Sequence, residues 1–182
     1  MFGLKVDDEL SMDLPELHDA EALFAAIDAN REHLGRWLPW VPNIKTAEDE
    51  RKTLDTLRKR YAENNGIILI IRQRGEIIGG LGTPYWDNLN RMVEIGYWLI
   101  QPACGRGIMT RCVRKFCDEL FSKWNINRIE IRAEPDNMPS RAIPERLGFK
   151  LECTLRERAA RGEGFADLML YSMLKREWKI ST

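Results

Sequence analysis

Residues 94–110 read "EIGYWLIQPACGRGIMT", an apolar strand pattern followed by a loop with two glycines and the start of a helix. A helix that begins here leaves its first backbone N–H groups unpaired, and its dipole adds partial positive charge at the same place. Gly105 and Gly107 have no Cβ to keep an anion away from the backbone, and Arg106 can donate to a phosphate. The loop therefore suits a bound phosphate, although a glycine turn that needs positive φ angles fits the same residues.

The chain upstream of the loop predicts a series of strands. Three apolar stretches are separated by the turn signals Arg74-Gly75 and Asp87-Asn88. Short turns of this kind join neighbouring antiparallel strands. We therefore expect an antiparallel meander with strands over residues 66–73, 76–86 and 91–100.

The chain downstream of the loop predicts a helix that packs on the sheet. Its apolar residues recur at helical spacing on one face, at Ile108, Val113, Phe116, Cys117, Leu120, Phe121 and Trp124. A strand over residues 127–135, a short helix that ends at Gly148, and two strands around Gly162 and Gly164 follow. A strand, the glycine loop, a helix and a further strand form one βαβ crossover.

The N-terminal part is predicted to hold one strand and two helices. Alternating apolar residues indicate an edge-like strand over residues 4–14, interrupted by an aspartate pair, and helical patterns follow over residues 16–30 and about 47–63. The order β-α-α-β-β-β-α-β-α-β-β predicts an α/β (α+β) fold, with a mixed, mostly antiparallel central sheet of about seven strands flanked by helices. Since the chain contains no linker or repeat, we expect a single domain over residues 1–182.

Charge and cysteine content exclude several classes of protein. The 28 acidic and 28 basic residues balance, so net charge gives no support for binding to nucleic acid or to a membrane. The four cysteines form no C-x-x-C pair, and His18 and His33 lie far from them in sequence, so we expect no metal site. The N-terminus lacks the pattern of a secretory peptide, and no stretch reaches membrane-spanning length. We therefore expect a reduced, cytoplasmic protein.

Three motifs, in this order along the chain, resemble the GNAT superfamily of acetyl-CoA-dependent N-acetyltransferases. They are "EIGYWL" at residues 94–99, "GRGIMT" at 105–110 and "EPDNMPSRAIPERLGF" at 134–149. A further motif, "REHLGRWLPWV" at residues 31–41, is typical of the RimJ/RimL-like branch, which acetylates N-terminal amino groups, notably those of ribosomal proteins. The resemblance covers nearly the whole chain and implies a GNAT-like fold with acetyl-CoA as cosubstrate and no metal.

The resemblance also implies which residues bind acetyl-CoA. It assigns the pyrophosphate to the loop and helix start, and the pantetheine arm to Asn137 and to free backbone groups of the strand before the loop. The family loop is usually Q/R-x-x-G-x-G/A, so this chain departs from it with Cys104 at the first position and Met109 at the last. The predicted donor site comprises Trp98, Leu99, Ile100, Gly105, Arg106, Gly107, Ile108, Met109, Thr110 and Asn137.

Glu94 is the candidate general base. Acetyl transfer to an amine needs a deprotonated nucleophile, and a carboxylate within an apolar strand is partly desolvated, which raises its pKa toward that of a useful base. By likeness to the family's glutamate on this strand, Glu94 would act through a water molecule. A solvent-facing glutamate, or one paired with an arginine, is the alternative.

Ser140 is the candidate donor to the thiolate leaving group. It lies three residues after Asn137 at the start of a short helix, so both side chains can point along one face. The resemblance assigns Ser140 the role of hydrogen-bond donor or general acid. Capping of the helix by Asp136 or Asn137, with Ser140 solvated, is the alternative.

The acceptor site is the least defined part of the sequence. Trp37 and Trp40 are candidates for a wall against which a peptide N-terminus lies, although tryptophan is more often a core residue. No base lies beside the cysteines in sequence, which favours direct transfer in a ternary complex over an acetyl-cysteine intermediate.

Three functions fit these patterns. The first is acetylation of a protein α-amino group, for example that of a ribosomal protein. The second is acetylation of a small amine such as a polyamine or an aminoglycoside, and the third is a CoA-binding module without catalysis. Apolar residues near the C-terminal strands are also compatible with a homodimer.

Overall fold

The structure is a computed structural model that describes residues 3–179. Within these residues the strands are β1 (Gly3–Lys5), β2 (Leu10–Asp13), β3 (Ile68–Gln73), β4 (Glu76–Asp87), β5 (Met92–Leu99), β6 (Arg128–Ala133), β7 (Lys150–Arg161) and β8 (Gly164–Leu174). The α-helices are α1 (Ala20–Asp28), α2 (Arg31–Gly35), α3 (Ala47–Ala62), α4 (Ile108–Ser122) and α5 (Met138–Arg146). Short 3-10 turns occur at Leu17–Asp19, Val41–Asn43 and Gln101–Ala103.

The described strands form one eight-stranded sheet in the order β1-β2-β3-β4-β5-β6-β8-β7. β5 pairs with β6 in parallel, while β1/β2, β2/β3, β3/β4, β6/β8 and β7/β8 are antiparallel. The parallel pair flanks α4 in sequence, which is the predicted βαβ crossover. The predicted fold class, a mixed and mostly antiparallel sheet flanked by helices, is confirmed.

The N-terminal strand is where the prediction was wrong. Residues 4–14 form two short strands instead of one, and β1 and β2 pair with each other as a hairpin. Asp7 makes the turn, because its side-chain Oδ1 accepts the N–H groups of Glu9 and Leu10. The aspartate pair is therefore a turn signal, and the sheet has eight strands where about seven were predicted. The prediction also omitted α2, a helix of five residues.

Contacts divide the described chain into two compact units. The first unit contains the described residues up to Gly82 together with Tyr97–Cys112, and the second contains Thr83–Gly96 together with the described residues from Val113 onward. The single domain over residues 1–182 stays a prediction.

The first unit has two buried apolar clusters that place α1 and α3. Residues from both helices pack with β3 and β4 in one cluster, which comprises Ala20, Leu23, Leu54, Ile70 and Ile77. The other cluster joins the end of α1 to residues that follow this helix. Its members are Ile27, Leu34, Val41 and Ile44. α3 begins at a capping box in which Thr46 and Asp49 exchange hydrogen bonds, as its sequence would allow.

The second unit is built on β6, β8 and β7. Apolar residues of α4 from Val113 onward are buried, including Phe116, Cys117, Leu120 and Phe121. α5 ends before Gly148, whose φ of +78° explains why glycine stands at the predicted helix end. No helix in the described part of the chain is long and apolar enough to cross a membrane. The cytoplasmic location stays a prediction.

Candidate active site

The glycine loop combines a turn with open access to the backbone. Gly105 and Gly107 have φ angles of +74° and +69°, a region that L side chains rarely adopt. A Cβ built at either glycine would have no heavy atom within 4 Å, so the space in front of the loop is open. The turn interpretation is therefore correct, and it leaves the phosphate interpretation intact.

The start of α4 supplies backbone donors at this loop. The first helical hydrogen bond runs from the Arg111 N–H to the Gly107 carbonyl, at 3.2 Å. The N–H groups of Ile108, Met109 and Thr110 precede that bond, as the first groups of any helix do. These donors and the helix dipole make the loop suited to an anion.

Contacts within the first unit fix the approach to the loop. The Gln101 N–H donates to the Asn30 side chain at 3.0 Å, and the Arg106 Nη1 lies 3.3 Å from the Gln73 Oε1. The Ile100 N–H donates to the Ile78 carbonyl at 2.9 Å, and the Ile100 carbonyl accepts from Ala103. The predicted free backbone groups at Ile100 are thus engaged, and free groups at Trp98 and Leu99 stay a prediction.

A cysteine and a histidine meet beside the loop, which the sequence did not indicate. The Cys104 Sγ lies 3.7 Å from the His33 Nε2, although 71 residues separate the two. Burial raises the pKa of the Cys104 thiol, so the site does not favour the thiolate that a nucleophile needs. Sequence neighbours of Cys104 gave no sign of this contact, and the raised pKa does not favour an acetyl-cysteine route.

Two of the three predicted tryptophans contact each other in the first unit. The rings of Trp40 and Trp98 meet edge to face, with centroids 6.3 Å apart, and both pack against the second apolar cluster. Trp98 lies close against β4, because a Cβ at Gly79 would collide with its carbonyl oxygen and one at Gly80 would lie 2.7 Å from its Nε1. Trp37 is half-buried, and the Arg36 guanidinium stacks over its ring at 5.0 Å.

Glu94 lies in the second unit, on the part of β5 that pairs with β6. Its Cα partner is Glu130, and its Oε2 lies 3.3 Å from the Arg132 Nη1. Its side chain is 21% exposed. Burial raises the pKa of the Glu94 carboxyl and Glu130 raises it further, while Arg132 and Arg158 lower it. Glu94 is thus both partly desolvated and paired with an arginine, and its role as the base stays a prediction.

A row of alternating carboxylates and guanidiniums continues from Glu94 across the second unit. Arg132 also contacts Glu130 at 3.0 Å, and Glu130 accepts from the Arg128 Nε at 2.8 Å. Arg128 then donates to both oxygens of Glu152, whose pKa falls to about 2. We call Glu94, Arg132, Glu130, Arg128 and Glu152 the charge ladder. The alternation in "RIEIR" at residues 128–132 was a usable signal, because it places three charges on one face of a strand.

Asn137 and Ser140 lie at the first turn of α5. The Asn137 Oδ1 accepts the Ser140 N–H at 3.3 Å, so Asn137 caps the helix as the alternative interpretation expected. Cap and ligand contact are compatible, because the oxygen makes the cap and the amide NH2 is a separate donor. Ser140 is half-buried.

The predicted residues fall in both units. Trp37, Trp40, Trp98–Ile100 and the loop belong to the first unit, and Glu94, Asn137 and Ser140 belong to the second. Glu94 and Trp98 are four residues apart on β5 and therefore share one face of that strand. Among the described residues no group of three or more His, Cys, Asp or Glu side chains is arranged to hold a metal.

The glycine turn at the start of α4 is suited to a phosphate-bearing ligand, and burial raises the pKa of the Glu94 carboxyl on β5, as a general base requires. The family described as "Acetyltransferase (GNAT) domain" matches residues 9–150. The chain therefore belongs to the GNAT acetyltransferase family. It is an N-acetyltransferase with acetyl-CoA as its cosubstrate.

Three similar proteins show how far the likeness extends. "Putative ribosomal N-acetyltransferase YdaF" of Bacillus subtilis (strain 168) is 37% identical over 180 residues, which cover 98% of each chain. "Ribosomal-protein-serine acetyltransferase" of Escherichia coli (strain K12) is 25% identical, over 94% of this chain and 96% of that one. The solved structure of the Microcin C7 self immunity acetyltransferase MccE, in complex with acetyl-CoA and AMP, has a TM-score of 0.90 and 27% identity, over 94% of this chain and 96% of that one.

Proposed function

We propose that this N-acetyltransferase acetylates the N-terminal α-amino group of a protein such as a ribosomal protein, by direct transfer in a ternary complex. The names of two relatives support the acceptor, "Putative ribosomal N-acetyltransferase YdaF" and "Ribosomal-protein-serine acetyltransferase". The observation that carries the mechanism is the Glu94 carboxylate, which is half-buried, has a raised pKa and contacts Arg132.

In this proposal the loop and the start of α4 bind the donor. The open space in front of Gly105 and Gly107 admits the pyrophosphate to the backbone N–H groups of Ile108, Met109 and Thr110. Arg106 is exposed and adds a charged donor. Trp98 and Leu99 offer backbone groups to the pantetheine amides, and the Asn137 side chain offers its NH2.

The transfer itself needs one base and one proton donor. Glu94, through a water molecule, accepts a proton from the ammonium, and the neutral amine attacks the thioester carbonyl. The N–C bond forms in this attack. The tetrahedral intermediate then collapses as its nitrogen loses the extra proton to water and the C–S bond breaks, and the Ser140 hydroxyl donates a hydrogen bond to the departing thiolate until it takes a proton from solvent. Trp37 and Trp40 would line the acceptor side.

The test of this proposal is an acceptor panel combined with Glu94→Gln. The panel contains a peptide with a free α-amino group and N-terminal serine, the same peptide with a blocked α-amino group, spermidine and an aminoglycoside. We expect acetylation of the free peptide alone. In Glu94→Gln we expect kcat to fall by about 10²–10⁴-fold, the usual range for a lost general base, with acetyl-CoA affinity kept. Full turnover in Glu94→Gln would contradict the base, and acetylation of the amines alone would contradict the acceptor.

A small-molecule amine is the second candidate acceptor. It is supported by the similar structure named as a microcin self immunity acetyltransferase, which is in complex with acetyl-CoA and AMP. The same panel decides between the two acceptors.

A homodimer also stays a prediction. Leu151 on β7 and Phe165 on β8 are 51% and 68% exposed, which is compatible with a partner surface. Light scattering of the purified chain tests it, and a monomer mass at micromolar concentration would contradict it.

A further inference from the structure

Arg132 is fixed between two carboxylates of neighbouring strands. Its Nη1 lies 3.3 Å from the Glu94 Oε2 on β5, and its Nη2 lies 3.0 Å from the Glu130 Oε2 on its own strand β6. Its Nε is buried and has no hydrogen-bond partner among the described residues. The two terminal nitrogens Nη1 and Nη2, and not Nε, therefore set the orientation of the guanidinium, and each contacts a carboxylate.

The Glu130 end of this bridge is itself held firmly. The side chain of Glu130 is 8% exposed, and its other oxygen accepts from the Arg128 Nε at 2.8 Å. Arg128 is fixed by two hydrogen bonds to Glu152 at 2.9 and 2.6 Å, and Glu152 accepts from the Ser172 hydroxyl. Bidentate contacts of this kind restrict the guanidinium geometry. Arg132 thus extends a fixed row of charges toward Glu94.

The charged groups that act on Glu94 come from β6 and β7. Arg132 lowers the pKa of the Glu94 carboxyl and Glu130 raises it, both from β6, and Arg158 on β7 lowers it by a smaller effect. Glu130 acts on Glu94 in two ways, by direct charge repulsion and by sharing the Arg132 guanidinium.

We propose that Arg132 is a positioning residue, which fixes the Glu94 carboxylate by bridging it to Glu130, so that the charge ladder governs when Glu94 can accept a proton. The proposal rests on the role of Glu94 as the base under "Proposed function". Two opposite consequences follow. Loss of the Arg132 charge leaves burial and the repulsion of Glu130, both of which disfavour the ionised Glu94 carboxylate. Loss of the Glu130 charge removes that repulsion and leaves Glu94 as the remaining charged partner of Arg132 in the bridge.

The experiment follows the Glu94 carboxyl directly. Protein labelled with ¹³C at the glutamate side-chain carboxyl is titrated by NMR, and the Glu94 signal is assigned by its absence in Glu94→Gln. We expect this signal to titrate at higher pH in Arg132→Met and at lower pH in Glu130→Gln than in the wild type. An opposite charge within about 4–6 Å shifts a carboxyl by roughly one to three pH units, which corresponds to a change of about tenfold or more in the ionised fraction. A titration that is unchanged in both variants would overturn the proposal.

Two further variants separate positioning from general structural damage. Arg128→Met removes the same residue type from the same face of β6. Within the described residues Arg128 pairs with Glu130 and not with Glu94, so we expect a much smaller change in the Glu94 titration. Arg132→Lys keeps the charge but loses the fork that reaches both carboxylates, so we expect a titration close to wild type with a lower kcat. Equal shifts in Arg128→Met and Arg132→Met would assign the effect to the fold and reject the bridge.

The acid side of the pH–rate profile connects the bridge to catalysis. With the free peptide and acetyl-CoA, kcat/KM at a pH below the wild-type inflection should fall about tenfold or more in Arg132→Met and rise in Glu130→Gln. If Glu94→Gln keeps full turnover while the NMR titrations shift as expected, the proposed base is wrong and the bridge stands. If Glu94→Gln loses turnover and the titrations do not move, the base stands and the bridge is wrong.

Discussion

Glu50 offers a prediction whose size follows from the structure. It lies in the first turn of α3, one turn before Leu54, and is only 6% exposed. Helix positions four residues apart share a face, so Glu50 occupies the side of α3 that Leu54 buries in the first apolar cluster. Burial raises the pKa of the Glu50 carboxyl to about 7. Glu50→Gln removes the charge and nearly keeps the shape.

The raised pKa determines the sign and the pH range of the effect. Between pH 4.5 and 7 the folded state binds more protons at Glu50 than the unfolded state does, so the stability of the wild type falls as the pH rises through this range. Each pKa unit corresponds to about 1.4 kcal/mol, so the ionised carboxylate costs at most about 3 kcal/mol above pH 7. Glu50→Gln should recover part of this free energy above pH 7 and almost none at pH 4.5.

Thermal unfolding at two pH values measures the effect. For a chain of this size about 3 kcal/mol corresponds to roughly 6–12 °C in Tm, so we expect an increase of several degrees at pH 8 and little change at pH 4.5. Glu48→Gln is the matched control, because it removes a charge from the same helical turn at an exposed position. An equal change of Tm in Glu50→Gln at both pH values, or a loss of stability at pH 8, would refute the reasoning.

Three further changes test other parts of the structure. Gly107→Glu places a side chain and a negative charge at a position with φ +69°. We expect calorimetric titration to show acetyl-CoA binding weakened by more than tenfold, and unchanged binding would reject the phosphate site at the loop. Cys104→Ala should keep turnover, because direct transfer needs no acetyl-cysteine, and loss of turnover with CoA binding intact would support the covalent route with His33 as base. Glu152→Gln should lower Tm at pH 7. Because the pKa of Glu152 is lowered in the folded state, its stabilising contribution is lost as the pH falls from 4.5 toward 2, and the difference in Tm from wild type should shrink over that range. A difference that is constant with pH would show that Arg128 does not stabilise the ionised Glu152.

The sequence predicts those parts of the fold that depend on neighbouring residues. The glycine loop, the start of α4, the cap at Asn137 and the end of α5 at Gly148 each arise from residues within one or two turns of each other. The prediction of one N-terminal strand was wrong because the apolar alternation gives no sign of the turn at Asp7. Leu4, Leu10 and Met12 keep one alternation through residues 4–14, and only the Asp7 side chain, which bonds to the backbone, decides that the chain turns.

Contacts between distant residues could not be predicted in the same way. Arg132 lies 38 positions after Glu94, and Cys104 lies 71 positions after His33, so no local pattern joins either pair. The pairing of β5 with β6 places Glu94 opposite Glu130, and a different register by one residue would turn the Glu94 side chain to the other face. Sequence spacing identifies Glu94 as a carboxylate in an apolar strand, but the register determines which charges it contacts.

The two alternatives for Glu94, a desolvated base or a partner of an arginine, are in the structure a single arrangement. Burial alone would raise the pKa of the carboxyl, and a firmly bound arginine alone would hold it ionised and weaken it as a base. Arg132 contacts both Glu94 and Glu130, and the negative charge of Glu130 offsets part of the guanidinium's effect on Glu94. The proposed base must be ionised and still basic enough to accept a proton; burial raises the pKa of the Glu94 carboxyl and the Arg132 contact lowers it, so the two effects oppose each other.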